Sequence, residues 1–251
     1  MTFNRALSIK NDAQDSLADR LALGIGEIGL TFDETQYSRV LSFIYLLKKW
    51  NKTYNLTAID ALPDMLNLHI FDTLSVIPYL DDALSRRGLG DTDQAQPLSG
   101  DVSACKPVKV LDVGAGAGVP GIILAIARPS WAVTMIDAAQ KKAAFCTQAI
   151  AELKLPNAKA EHGRIETMMP LAPFEIIISR AFSALTPFVE ASRHTLAARG
   201  IWAAMKGLNP ENEIADLPCD IRVFQNQAVT PPFMPDIQRH LILMEETIND
   251  D

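Results

Sequence analysis

The sequence predicts an α/β protein built on a doubly wound, mostly parallel sheet of seven strands, preceded by an N-terminal helical cap. Two observations carry this prediction. In residues 108–127 an apolar strand, a cluster of glycines and an apolar helix follow one another, which is how a nucleotide-binding βα unit begins. After residue 108 strand-like and helix-like runs alternate, whereas residues 1–80 show helical periodicity only.

The first thirty residues predict one or two short helices. Leu17 and Leu21 form an apolar stripe, which Gly24, Gly26 and Gly29 are expected to end.

A longer helix is predicted over about 32–50. Thr31 and Glu34 have the spacing of a capping box, and apolar residues follow them at helical spacing. Pro63 is placed to begin a second helical segment. That segment carries His69 and Asp72 one helical turn apart, so the two either line the mouth of a ligand site or form a pair on the helix surface.

Residues 81–107 differ from their surroundings, because Asp, Gly, Ser, Gln and Arg dominate and no apolar period persists. Such a stretch predicts an exposed connection. The predicted organisation is therefore a helical cap over residues 1–80, this connection over 81–107 and a ligand-binding domain over 108–251.

Polar residues follow the predicted strands, and in a doubly wound sheet ligands bind outside the carboxyl ends of the strands. The strands are predicted at residues 108–113, 132–137, 158–161, 174–179, 200–206, 220–229 and 240–244, with helices over 140–154, over 186–198 and after Pro210.

The glycine cluster predicts a ligand cradle, because residues without Cβ permit a tight turn and a close approach to the backbone. Residues 116–121 match the dinucleotide pattern G-x-G-x-x-G, and Asp137 lies where an acid would hold a ribose hydroxyl. Asp112, two residues before Gly114, gives D-x-G-x-G-x-G instead, a pattern similar to that of S-adenosylmethionine (AdoMet) methyltransferases. An acid at a strand end favours the ammonium and sulfonium of that cofactor.

The composition excludes several classes of protein. The net charge of −7 argues against non-specific nucleic-acid binding by the whole molecule and is compatible with a local basic patch. No apolar run reaches the about 20 residues of a membrane span, and residues 1–12 lack a signal-peptide core. The cysteines and histidines share no metal-ligand spacing. We therefore expect a soluble, cytoplasmic protein without a metal site.

Residues 48–59 mix cations with aromatic side chains. Lys48, Lys49 and Lys52 have the chemistry to contact phosphates while Trp50 or Tyr54 stacks on a base. The alternative, which the residue types alone favour, is that the aromatic rings seal the helices onto the main domain and the lysines form a solvated face.

A series of motifs spans roughly residues 30–245. In order they are Trp50-Asn-Lys-Thr-Tyr-Asn-Leu-Thr-Ala-Ile59, His69-x-x-Asp72, Leu111-Asp-Val-Gly-Ala-Gly-Ala-Gly-Val-Pro-Gly121, Gly163-Arg-Ile-Glu166, Ile178-Ser-Arg-Ala-Phe182, Met205-Lys-Gly207 and Arg239-His-Leu241. The series resembles the motifs of the ribosomal RNA small subunit methyltransferase G family, also called glucose-inhibited division protein B.

This resemblance implies a Rossmann-like class I AdoMet methyltransferase that methylates a guanine N7 of bacterial 16S rRNA, within the 30S subunit and near the decoding site. It also implies the cofactor contacts. The methionine end is assigned to Gly114, Gly116, Gly118 and Val119, the ribose to Asp137, the adenine to Ile165 and Glu166, and the mouth of the site to Arg180.

The implied reaction requires few chemical groups from the protein. Guanine N7 carries a lone pair and no proton, so in-line attack needs no general base, and no catalytic acid or base is predicted. Arg164, Arg180, Lys206 and Arg239 are predicted to contact RNA phosphates. For each of them the alternative is a salt bridge within the chain.

Two other functions stay open at this stage. A dehydrogenase using the pattern at residues 116–121 would bind NAD and require a proton-relay residue, for which the sequence offers no candidate. An AdoMet-dependent methyltransferase acting on a protein or a small molecule is compatible with the acidic net charge.

Overall fold

The computed structural model describes residues 17–89, 106–180 and 182–247. Its strands are β1 Lys109–Val113, β2 Ala132–Asp137, β3 Ala158–His162, β4 Phe174–Arg180, β5 Leu196–Lys206, β6 Ile221–Val229 and β7 Arg239–Glu246. They form one sheet in the order β3-β2-β1-β4-β5-β7-β6. All neighbours up to β5 pair in parallel, and β7 is antiparallel to both β5 and β6. The predicted doubly wound, mostly parallel sheet of seven strands is confirmed.

Helices cover both faces of the sheet. They are α1 (17–28 within the described residues), α2 Glu34–Tyr54, α3 Leu62–Met65, α4 Asp72–Leu74, α5 Ile77–Arg86, α6 Gly121–Ala127, α7 Gln140–Leu153, α8 Leu185–Ser192 and α9 Glu211–Ala215, with a π-helical turn, Leu66–Phe71, joining α3 to α4. In the described part of the chain no helix is long and apolar enough to cross a membrane. The same residues include no group of His, Cys, Asp or Glu side chains arranged to hold a metal ion.

Alternate residues of the central strands face two hydrophobic clusters. Val110 of β1 belongs to the cluster that contains α6 and α7, whereas Leu111 faces the cluster around α8, as expected for a strand buried on both sides. Side chains of α1 and α2 lie in the first cluster, among them Leu21 and Phe43. The N-terminal helices therefore share a core with the sheet.

The start of the chain departs from two predictions. Gly24 and Gly26 lie inside α1, and only Gly29, with φ of +81°, ends it. The capping box lies two residues later than predicted. Asp33 is the N-cap, with its carboxylate accepting from the Gln36 N–H at 2.7 Å, and the Gln36 amide oxygen accepts from the Asp33 N–H at 2.9 Å.

Two predicted boundaries are also wrong. The connection begins later than residue 81, because α5 extends to Arg86 and buries Ala83 and Leu84; residues 90–105 lie outside the described part. The helix predicted over 186–198 ends at Ser192, because Leu196 pairs with β4 and starts β5. Pairing with a neighbouring strand here outweighs local helical periodicity.

The tight contact between α1 and Phe71 predicts opposite effects for two glycine substitutions in one helix. A Cβ on Gly24 would lie 2.3 Å from the buried Phe71 ring, whereas a Cβ on Gly26 meets nothing within 4 Å. Gly24→Ala should lower the free energy of unfolding by about 1–3 kcal/mol, and Gly26→Ala should raise it by about 0.5–1 kcal/mol. Urea denaturation followed by circular dichroism measures both, and equal effects of the two changes would contradict the packing described.

Candidate functional site

The carboxyl ends of β1 and β2 converge on the glycine loop, residues 114–120, which leads from β1 into α6. Gly114, Gly116 and Gly118 have φ values of +72°, +57° and +75°, a region that side chains with a Cβ rarely adopt. The N–H of Gly114 donates to the Ile136 carbonyl of β2 at 2.9 Å. The three predicted glycines are therefore brought together in a turn that needs them.

Asp137, the last residue of β2, holds this loop because its carboxylate accepts hydrogen bonds from backbone N–H groups. One carboxylate oxygen accepts from the Gly116 N–H and the other from the Ala139 N–H, each at 2.8 Å. The residue is 8% exposed. A carboxylate oxygen has two lone pairs, so both oxygens keep capacity for a ligand hydroxyl at the edge of the loop.

Asp112, on β1, holds the other end of the loop. Its Oδ2 accepts from the Gly121 N–H, the first of α6, at 2.8 Å, while its Oδ1 is buried and has no hydrogen-bond partner among the described residues. Burial raises the pKa of this carboxyl from 3.8 to about 7; the Gly121 bond and the charge of Arg180 act in the opposite direction. A buried carboxylate oxygen without a partner is unfavourable and suits a cationic ligand group.

The residues that the resemblance assigns to adenine lie beside Asp137. A 3-10 turn, Ile165–Thr167, follows β3, and Gly163 just before it donates its N–H to the Asp137 carbonyl at 3.1 Å. Ile165 is buried and Glu166 is exposed. Val119 is also buried, 3% exposed, in the glycine loop. The structure thus gathers the predicted cofactor residues at one edge of the sheet.

Arg180, the last residue of β4, is fixed by the π-helical turn. Its Nη1 donates to the Leu68 carbonyl at 2.9 Å and lies 3.0 Å from His69 Nδ1. The Asp72 carboxylate lies 3.6 Å from the same nitrogen. A π-helical turn shifts the backbone hydrogen bonds of a helix, and here it presents a carbonyl and an imidazole to one guanidinium.

His69 serves this group as a neutral acceptor. Burial and the charge of Arg180 lower the pKa of His69 to about 3. Because Arg180 can only donate, Nδ1 accepts and the proton resides on Nε2, which lies 3.0 Å from Thr57 Oγ1. His69 and Asp72 are 2% and 4% exposed, so the alternative of a pair on the helix surface is wrong.

The predicted RNA contacts differ in their surroundings. Arg239 donates from Nε to Asp72 at 2.7 Å. Lys206 is committed within the chain, because its ammonium pairs with Glu213 at 2.7 Å and donates to the Phe182 carbonyl at 3.3 Å. Arg164 is exposed and forms no salt bridge with residues in the described ranges. For Lys206 the structure therefore favours the salt-bridge alternative over a phosphate contact.

Sequence comparisons identify the family. The sequence profile described as rRNA small subunit methyltransferase G matches residues 36–91 and 98–242. The chain belongs to this family. The ribosomal RNA small subunit methyltransferase G of Burkholderia multivorans is 41% identical over 246 residues, 96% of each chain. The protein of the same name from Acidovorax ebreus is 41% identical over 217 residues, 86% of this chain and 90% of that one.

A solved structure supports the fold. N-methyltransferase NodS from Bradyrhizobium japonicum, determined with S-adenosyl-L-homocysteine, has a TM-score of 0.52 and 13% identity and covers 81% of this chain and 99% of its own. This similarity confirms the predicted class I methyltransferase fold. Membership of the methyltransferase family, together with that fold, confirms the predicted cofactor, AdoMet.

The site residues fit this cofactor. Among the described residues the Oδ1 of Asp112 has no hydrogen-bond partner, and the adjoining loop has no Cβ at Gly114, Gly116 and Gly118, which leaves room and negative charge for a ligand with a cationic end. Asp137, at the loop's edge, has acceptor capacity for hydroxyl groups.

The sequence missed two parts of the site. Thr57 and the Leu68 carbonyl complete the surroundings of His69 and Arg180. Nothing in the local pattern marks a π-helical turn. The contact between Leu68 and Arg180 joins residues 112 positions apart, and the contact between Thr57 and His69 joins residues 12 positions apart, so neither follows from helical or strand periodicity.

Asp112 predicts a pH dependence of cofactor binding. Its carboxyl is protonated below a pKa of about 7, and a cationic ligand group favours the charged form. Affinity for S-adenosylhomocysteine, which carries an ammonium, should therefore rise as the pH increases from about 6 to about 8, with release of a proton. Calorimetry in buffers of different ionisation enthalpy measures both effects.

A matched pair of variants controls this prediction. Asp112→Asn should give a flat profile because an amide does not titrate, and Asp82→Asn, in an exposed salt bridge of α5, should keep the wild-type profile. The stability of the ligand-free protein should change in the opposite direction to its ligand affinity. Because the pKa of Asp112 is raised from 3.8 to about 7 in the folded state, its contribution to the free energy of unfolding falls as the pH rises between these two values. A wild-type binding profile in Asp112→Asn would refute the assignment.

Proposed function

We propose that this protein transfers the methyl group of AdoMet to N7 of a guanine in bacterial 16S rRNA, with the 30S subunit as its substrate. The observation that carries the proposal is the glycine loop held between Asp112 and Asp137. It is an anionic cradle for a cationic cofactor, in a chain of an rRNA methyltransferase family.

We propose for the residues of the cradle the parts that the family resemblance implies. Gly114, Gly116, Gly118 and Val119 would hold the methionine end, Asp137 the ribose, and Ile165 and Glu166 the adenine. When bound, AdoMet supplies an electrophilic methyl group on a sulfonium. The chain's own residues bind and orient it and exclude water from the reacting atoms.

Guanine N7 suits a site without a general base. His69 has a pKa lowered to about 3, and both of its ring nitrogens are engaged, by Arg180 and Thr57. It is therefore a poor proton acceptor at neutral pH. A nucleophile that carries a lone pair and no proton needs no such group, so orientation supplies the catalysis.

Arg180 presents one edge of its guanidinium to the substrate side. Its Nη1 is engaged by the π-helical turn, while Nε and Nη2 form no hydrogen bond with residues in the ranges described. The side chain is 23% exposed. We assign this edge to the RNA around the target base, with Arg164 at a neighbouring phosphate. Arg239 pairs with Asp72 through Nε, and its Nη2, which forms no hydrogen bond with the described residues, is the atom that we assign to a second phosphate.

The dinucleotide alternative is disfavoured by charge. A pyrophosphate gains from free N–H groups at a helix N-terminus, but the first N–H of α6 donates to the Asp112 carboxylate. A bound pyrophosphate would therefore lie near the Asp112 carboxylate, at a position where dinucleotide binding requires free N–H donors.

The test is direct. Purified protein, labelled AdoMet and 30S subunits from a strain without this methylation should yield label in 16S rRNA as N7-methylguanosine, mapped to one nucleotide by mass spectrometry. Label in a protein or a small molecule would favour the alternative methyltransferase, and binding of NADH without binding of S-adenosylhomocysteine would overturn the cofactor.

His69 predicts a difference between two substitutions. An asparagine at position 69 would place its amide oxygen near the position of Nδ1, the histidine atom that accepts from Arg180. A glutamine would place its amide near the position of Nε2 instead, so that Arg180 loses its acceptor. His69→Asn should retain most activity, and His69→Gln should lower kcat by about tenfold or more. Steady-state methyl transfer measures the difference.

The control for this prediction is cofactor binding. Both His69 variants should bind S-adenosylhomocysteine like the wild type, and Arg180→Ala should lose at least as much activity as His69→Gln. Equal activities for the two His69 variants, or full activity of Arg180→Ala, would show that the guanidinium position does not matter.

A further inference from the structure

The segment of cationic and aromatic residues at 48–59 contains two kinds of side chain, those that pack or pair within the protein and those that are exposed. Trp50 packs on Phe145 of α7 with ring centroids 5.6 Å apart, and Lys48 pairs with Asp60 at 2.9 Å. These two side chains serve the fold. Lys49, Lys52 and Tyr54 are exposed, so the sealing interpretation accounts for only part of the segment.

A second pair of lysines meets them from α7. Lys141 donates to the Tyr54 carbonyl at 3.0 Å, which places the first turn of α7 against the end of α2. Lys142 follows and is partly exposed. Because α7 starts three residues after Asp137, the backbone that carries these two lysines follows closely on the carboxylate that we assign to the ribose.

The four lysines lack compensating charges. Lys49, Lys52, Lys141 and Lys142 form no salt bridge with residues in the part of the chain that the structure describes. Of the acids close to these lysines, Asp137 is buried, and Asp60 pairs with Lys48, whose hydrogen bond and charge lower the pKa of Asp60 with a minor contribution from Lys52. With Lys48 paired to that acid, the surface keeps a clear positive excess.

Helix stability does not explain the lysines of α7. The first turn contains no acidic residue, and the N-cap, Ala139, provides no side-chain hydrogen bond. Cations at this end of a helix oppose its dipole. Their placement therefore points to an anionic partner outside the chain.

Tyr54 adds a stacking surface among these cations. Its ring lies on Trp50 with centroids 5.0 Å apart and an interplanar angle of 28°, and 41% of the residue is exposed. Because Trp50 is itself held by Phe145, the position of the Tyr54 ring is fixed, and its exposed fraction offers surface to a flat partner.

We propose that Lys49, Lys52, Lys141, Lys142 and Tyr54 form a lysine rim that binds the rRNA substrate next to the cofactor cradle. The lysines contact phosphates, and Tyr54 stacks on one unpaired base near the target guanine. Single-stranded RNA presents phosphates that attract cations and unpaired bases that stack on aromatic rings. This inference rests on the proposed function and adds a surface formed by the end of α2 and the start of α7.

The test uses two matched double variants. Lys52→Gln/Lys141→Gln removes two charges from the rim. Lys106→Gln/Lys154→Gln removes two exposed charges at the other edge of the sheet, where neither lysine forms a salt bridge within the described ranges. The KM for 30S subunits is measured at several salt concentrations, with S-adenosylhomocysteine affinity as the control for folding and cofactor binding.

The rim variant should raise KM about tenfold at low salt and reduce the slope of log KM against log salt by about 0.7–0.9 per lost contact. Its kcat and its S-adenosylhomocysteine affinity should stay within about twofold of the wild type, and the control variant should match the wild type throughout. Tyr54→Ala should raise KM about fivefold or more, while Tyr54→Phe, which retains the ring, should not.

The outcomes separate the two proposals. An unchanged KM and salt slope in the rim variant, or an equal loss in the control variant, overturns the rim while leaving the enzyme an rRNA methyltransferase. A wild-type protein that puts no label into 16S rRNA overturns the proposed function itself.

Discussion

The site depends on two hydrogen bonds from strand-end carboxylates to the backbone of the glycine loop. Gly116 donates to Asp137 and Gly121 to Asp112, each at 2.8 Å. Glycines lose more conformational entropy on folding than other residues, so a loop rich in them needs fixed partners. Hydrogen bonds to charged groups contribute about 1.5–3 kcal/mol each, and these two hold the cradle open before a ligand binds.

The opposite side of the site is held by charges that neutralise one another. Arg180 is taken out of water at the end of β4, which is unfavourable unless its charge is compensated. Asp72 compensates it and also pairs with Arg239, while His69 accepts as a neutral group. Because Asp72 and His69 come from the N-terminal helices, those helices are a structural part of the site as well as of the core.

The parts that the sequence predicted are those that local patterns determine. The run that forms β2 gave the observed bounds, Ala132–Asp137, because β-branched residues and a terminal acid mark a buried strand near a ligand. Gly24 misled the prediction because the reason for that glycine is the Phe71 ring, 47 positions away, packed against it. Likewise the Lys206–Glu213 pair and the contacts of Arg180 depend on tertiary structure, which periodicity does not encode.

The distribution of charge reconciles an acidic chain with a polyanionic substrate. The net charge is −7, yet Asp112 and Asp137 are buried beside the glycine loop and Asp72 is paired with arginine, which leaves Glu166 as the exposed acid among the assigned site residues. Lysines that form no salt bridge within the described residues stand at the edge of the site. At physiological ionic strength exposed charges act over about 8 Å, so a phosphate close to the rim experiences the lysines more than the distant acids. The net negative charge of the chain repels nucleic acid, whereas the lysines of the rim attract it at one edge. Binding of RNA is therefore favoured where its shape and its unpaired bases also fit that edge. Within the proposed function, that combination of long-range repulsion and short-range attraction favours binding of RNA at the rim over binding elsewhere on the chain.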